Sequence, residues 1–96
     1  MILSRDEVKA NIKDSDGWKL SGDKWIEKHF ALPSFPKALH FIKEIGDAAE
    51  DRDHHPYIVI DHKHVTLKLS TKDEGGLTQK DFDSAYAYDR IFRKYT

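Results

Sequence analysis

Two hydrophobic periods alternate along this chain. Val8 and Ile12 stand four apart, which gives a short helix one apolar edge. Ser4 is placed to cap that helix, with Glu7 three residues on completing a capping box. Asp14 to Gly17 ends it. Trp18-Lys19-Leu20 then reads as a short strand, Ser21-Gly22-Asp23 as a turn, and Lys24 to Leu32 as the second arm of a hairpin. The period returns to three and four at Phe35, Leu39, Ile42, Ile45 and Ala49, which predicts a long helix with that stripe facing the core. Ser34 serves as its N-cap, and Pro36 suits a first turn that needs no N–H there. The helix runs to about Arg52. Pro56 disfavours helical backbone at His55, so His54 and His55 fall at or just past the helix end.

Tyr57-Ile58-Val59-Ile60 reads as a strand of the buried type, and Asp61-His62-Lys63 as a tight turn. His64 to Ser70 alternates, with Val65, Leu67 and Leu69 on one face and His64, Thr66, Lys68 and Ser70 on the other. That is a strand of an antiparallel sheet covered on one side. Asp73 to Gly76 forms a loop. Thr78 caps a last helix that carries Phe82, Ala85, Tyr86 and Ile91 towards the core, with Tyr88 and Phe92 extending its apolar area. The order α-β-β-α-β-β-α predicts one α+β domain over residues 1–96. It is a four-stranded antiparallel sheet with helices on one face. The open face or its edges then offer a route to a homodimer or homotetramer, a natural gain for a domain with so small a core.

Composition narrows the function. The chain has 96 residues, 16 basic and 17 acidic, and no cysteine. No charge run is long enough to grip a polyanion, which argues against nucleic acid as a partner. Lys19, Lys24 and Lys28 near the two tryptophans are offset by Asp16, Asp23 and Glu27. No apolar run approaches a membrane span and the N-terminus lacks a signal peptide's apolar stretch, so a soluble, cytoplasmic protein with no membrane partner is expected. The absence of cysteine suits a reducing compartment.

The chemistry concentrates in Glu50-Asp51-Arg52-Asp53-His54-His55-Pro56. Histidine changes charge near neutral pH, so two adjacent imidazoles on a proline-fixed backbone can give and take protons. A helix C-terminus and neighbouring acids favour the imidazolium form of one of them. His62 and His64, two apart, extend the histidine count, but their spacing matches no metal motif, and neither a metal nor an organic cofactor is expected. Gly75-Gly76 lacks the lysine and serine of a phosphate loop.

The stretch from Glu50 to Asp81 resembles the pterin-4a-carbinolamine dehydratase family. Carrying the resemblance are Glu50, three residues, His54-His55-Pro56, a hairpin, Ser70-Thr71, then Gly76-Leu77-Thr78 followed by Asp81. The order of elements matches over essentially the whole chain. The resemblance implies a hydro-lyase that dehydrates 4a-hydroxytetrahydropterin to quinonoid dihydropterin, recycling the cofactor of aromatic amino-acid hydroxylases. It implies His54 and His55 as proton-transfer residues, with Lys72 and Asp81 in support. Glu50, Pro56, Ser70, Thr71, Lys72 and Asp73 would help bind the pterin. Which histidine is acid and which is base is left open.

Two positions depart from the family. A third active-site histidine usually follows the Ser-Thr pair, and here Lys72 stands there. An aromatic residue usual in the second hairpin is replaced by His62. A lysine can donate a proton or hydrogen-bond a pterin oxygen, but it is a poor base unless desolvated. The alternative is therefore a catalytically weak or inactive pterin-binding or dimerisation module of the same fold.

Overall fold

The computed structural model describes residues 1–96. Helix α1 (Arg5–Asp14) carries the expected capping box: Ser4 Oγ accepts from the Glu7 N–H at 3.1 Å, and Glu7 Oε1 accepts from the Ser4 N–H at 2.8 Å. Strands β1 (Lys19–Ser21) and β2 (Trp25–Ala31) form the first hairpin. Helix α2 (Phe35–Arg52) follows, capped by Ser34, whose hydroxyl accepts from the Lys37 N–H. Strands β3 (Tyr57–Asp61) and β4 (His64–Leu69) form the second hairpin, and α3 (Gln79–Phe92) closes the domain. Short 3-10 turns occupy Lys72–Glu74 and Arg93–Tyr95.

The sheet is antiparallel throughout, in the order β1-β2-β4-β3. The expected α+β architecture is the one observed. Val65, Leu67 and Leu69 of β4 are fully buried against the helices, as their alternation requires. They meet Ile26 and Phe30 from β2, Phe41 and Ile45 from α2, and Phe82 and Tyr88 from α3. The Phe30 ring packs edge-on against Phe92 at 4.9 Å between centroids, a favoured aromatic geometry.

Three expectations about burial are corrected. Tyr57 to Ile60 is not a buried strand: every residue of β3 is exposed, because β3 pairs only with β4 and stands at the sheet edge. On α2 the buried stripe is Ala38, Phe41, Ile45 and Ala49, and Ile42 is only partly buried. Phe35 and Leu39 remain exposed, because the face that the helix turns to the core carries Ala38, Phe41, Ile45 and Ala49. On α3, Tyr86 points to solvent, while Tyr88 is fully buried. Apolar spacing finds a helix, but when apolar residues exceed one face it leaves the rotation undecided.

Trp18 precedes β1 instead of opening it. Its buried indole Nε1 donates to Asp89 at 3.1 Å, and the same carboxylate holds Lys28 Nζ at 2.8 Å. Lys28 occupies a core-facing position of β2 between Ile26 and Phe30, tolerated because Asp89 pairs its charge.

Candidate active site

The end of α2 aims the two histidines. Asp53 leaves the helix in the left-handed region at φ 51°, and the His54 N–H donates back to the Ala49 carbonyl at 3.1 Å. This is a Schellman-type termination built on an aspartate in place of the usual glycine. It turns the chain sharply, so that the His54 side chain is nearly buried against α3 and that of His55 is half exposed.

His54 is nearly buried. Its Nε2–H donates to Asp81 Oδ1 at 2.7 Å. Asp81 belongs to the first turn of α3 and has no exposed surface at all. Its other oxygen, Oδ2, accepts from the Thr78 N–H at 3.0 Å and from the Thr71 hydroxyl at 2.9 Å. The first of these bonds is one half of a capping box, so the residue that orients the histidine also starts the helix. A carboxylate taken wholly out of water must be hydrogen-bonded on both oxygens, and this one is. Its hold on Nε2 leaves Nδ1 as the His54 ring nitrogen with no protein partner.

His55 is half exposed, and its Nε2 donates to the Glu50 carboxylate one turn back on α2. It too keeps Nδ1 uncommitted. Two imidazoles from adjacent residues thus each have one nitrogen tied to a carboxylate. One carboxylate is buried and the other solvated.

The remaining expected residues divide. Ser70 and Thr71 are buried, and the loop folds on Thr71, whose N–H donates to the Gly76 carbonyl and whose carbonyl accepts from the Glu74 and Gly75 N–H groups. Lys72 and Asp73 are exposed. Lys72 reaches across to Trp25 on the open face of the sheet, its Nζ 5.8 Å from the indole centroid, with Lys68 Nζ at 5.6 Å from the same ring. The structure therefore brings together Glu50, His54, His55, Thr71 and Asp81, and it sets the Lys72 ammonium near Trp25. His62 stacks on Phe35, and His64 on His29.

Sequence reasoning missed Thr78 as a member of this network and Trp25 as the neighbour of Lys72. The signal for Thr78 was present, because threonine followed three residues later by aspartate is a capping pair. Nothing local pointed to Trp25, which depends on the β2–β4 register.

Comparison with known proteins gives this geometry its context. The family model described as pterin 4 alpha carbinolamine dehydratase matches residues 1–91. The chain belongs to that family. A Roseiflexus protein (strain RS-1) named "Putative pterin-4-alpha-carbinolamine dehydratase" is 47% identical over 89 residues, covering 93% of this chain and 95% of its own. A similarly named protein of Sulfolobus acidocaldarius is 34% identical over 91 residues, covering 95% of this chain and 99% of its own. Among solved structures, a transcriptional coactivator/pterin dehydratase from Brucella melitensis superposes with a TM-score of 0.90 at 28% identity, over 95% of this chain and 98% of its own. A pterin dehydratase-like protein identified as a RuBisCO assembly factor in the alpha-carboxysome shares the fold at a TM-score of 0.69 and 20% identity, over 80% of this chain and 90% of its own. Members of the pterin dehydratase family thus share this small α+β frame, and one neighbour in fold is described as an assembly factor.

Proposed function

We propose that this member of the pterin dehydratase family is a hydro-lyase that converts 4a-hydroxytetrahydropterin to quinonoid dihydropterin by histidine acid–base catalysis. The observation that carries the reading is the pair of adjacent imidazoles, His54 on buried Asp81 and His55 on solvated Glu50. In the reaction one imidazole protonates the departing 4a-hydroxyl as the C4a–O bond breaks. The other accepts the proton of the adjacent ring nitrogen as the nitrogen–C4a double bond forms, and water leaves. The two nitrogens best placed for this are the Nδ1 atoms, because each Nε2 is held by its carboxylate. Protons are conserved, so the reaction draws on no redox partner, and a cytoplasmic role in recycling a hydroxylase cofactor suits it. Pro56 fixes the turn. Glu50, Lys72, Asp73 and the backbone of Ser70 and Thr71 form the pterin-facing rim.

The placement of Lys72 over Trp25 favours one second reading: a pterin-binding or interaction module with weak or no turnover. Stopped-flow dehydration of synthetic 4a-hydroxytetrahydropterin separates the two. Wild type should accelerate the reaction, and His54→Ala and His55→Ala, each checked for folding by circular dichroism, should lose on the order of 10²–10⁴ of that acceleration. Folded wild type without acceleration would leave the module reading.

We also propose that the chain self-associates, as a homodimer or homotetramer, through β3. Its edge is unpaired, and Tyr57, Ile58, Val59 and Ile60 are all exposed on it. Isolated edges of this kind are seldom left bare.

A further inference from the structure

The direction of every proton around Asp81 can be read from its partners. A carboxylate only accepts, so the hydroxyl of Thr71 donates to Asp81 Oδ2. A hydroxyl has one hydrogen, so in its 2.7 Å contact with Thr78 the Thr71 oxygen accepts and Thr78 donates. Thr78 Oγ1 in turn accepts from the Lys80 N–H at 3.3 Å. The chain of donors therefore runs from the α3 backbone through Thr78 and Thr71 to Asp81, which holds the His54 ring. Both threonines and the aspartate are buried, so none of these bonds is shared with bulk water.

From this we propose that Thr71 is a positioning residue. Its single hydroxyl hydrogen goes to Asp81 and its buried oxygen accepts from Thr78, so it sets the hydrogen-bonding strength of Asp81 towards His54 instead of donating to the pterin. Without it, Oδ2 keeps only the Thr78 N–H. A buried carboxylate with an unfilled acceptor site takes up a proton more readily and then holds the Nε2–H tautomer of His54 less firmly. The charged and titratable groups flanking this pair are the adjacent His55 with its partner Glu50, Arg52 and Asp53 at the end of α2, Lys72 and Asp73 in the turn that follows Thr71, and Tyr88 from α3, whose phenol lies in the field of both Arg52 and Asp81. The inference about turnover rests on the dehydratase reading, whereas the inference about the ring does not.

Thr71→Val and Thr71→Ser, which respectively delete and keep the hydroxyl, test it. In steady-state dehydration Thr71→Val should lower kcat roughly tenfold, with KM changed less than twofold and the pH profile of kcat displaced; Thr71→Ser should restore both. In parallel, ¹⁵N NMR of the His54 ring in the substrate-free protein should show the Nε2–H tautomer in wild type and Thr71→Ser, and a mixture in Thr71→Val. A raised KM with unchanged kcat would mean that the hydroxyl touches substrate and would overturn the proposal. So would a loss of kcat with an unmoved pH profile, or ring signals that do not respond to Thr71→Val. If wild type proves to have no turnover, the dehydratase reading fails and the ring signals alone decide the role of Thr71.

Discussion

Tyr88 is the one fully buried side chain whose polar atom meets no hydrogen-bond partner. Burial is the main cause that pushes its phenol up to about 12. A buried hydroxyl without a partner costs about 1–3 kcal/mol, so Tyr88→Phe should raise stability at neutral pH by about 1 kcal/mol, measured by urea unfolding. The same shift fixes a pH dependence. The folded state holds the phenolic proton more tightly than the unfolded chain, where it leaves near 10. The stability from this group is therefore full below about pH 10 and is lost as pH rises through about 12, by on the order of 2–3 kcal/mol. Tyr95, held up to about 12 by its bond to Glu44, adds to the alkaline loss. Tyr88→Phe should then flatten the fall in Tm above pH 10 without abolishing it. An equally steep fall in the variant would remove Tyr88 from the account. Asp81, a few residues earlier on α3, is the contrasting case: it is equally buried but fully partnered, which is what a group kept for chemistry requires. Asp81→Asn exchanges an acceptor oxygen for a donor and should lower kcat on the order of a hundredfold in the stopped-flow assay, with the helix still formed.

At the scale of elements, the end of α2 decides where the histidines point, and it does so at a cost. Asp53 adopts φ 51° and ψ 42°, a conformation that costs L-residues about 1–2 kcal/mol, asparagine and aspartate least among them. Asp53→Gly should raise stability by about 0.5–1 kcal/mol, and Asp53→Ala should fall below it by about 1 kcal/mol, both in chemical denaturation. Equal stabilities would show that the turn is not strained. This helix end was largely legible in the sequence, because Pro56 and the polar run before it bound the helix at Arg52, where it stops. The capping box of Ser4, the cap at Thr78 and the alternation of β4 were legible for the same reason: each is a local pattern with one physical solution. What could not be read were the features that depend on which elements become neighbours. Tyr57 to Ile60 looks buried because four apolar residues in a row suit an inner strand, but the sheet order puts them at the edge. Lys28 looks like a surface residue until α3 brings Asp89 to it. In the site, adjacent His54 and His55 announced themselves, whereas their separation into a buried and a solvated pair follows from the packing of α3 against the end of α2.

The whole molecule has an unbalanced surface. The helices cover the middle of the sheet, but they leave the helix side of β3, Ile58 and Ile60, partly bare, while Tyr57 and Val59 face the open side. Phe35 and Leu39 of α2 add exposed apolar area, and Phe35 lies against His62 in the β3–β4 turn. Burying all of this against a second copy removes apolar surface from water and fills the unpaired backbone groups of β3 in one step. A two-fold axis through Val59, the middle residue of β3, would pair the strand with itself in antiparallel register and extend the sheet across the interface. The strand offers little resistance to such pairing, since Asp61 at its end is its only charged residue. Val59→Lys places an ammonium at that axis opposite its own copy. Light scattering coupled to size exclusion should report an oligomer for wild type and a monomer for Val59→Lys, with the far-ultraviolet spectrum of the fold retained. The proposed site lies at the α2 and α3 ends and uses no β3 residue, so a folded Val59→Lys monomer should keep whatever dehydratase turnover the wild type shows. A monomeric wild type would mean that the bare edge of β3 serves a different partner.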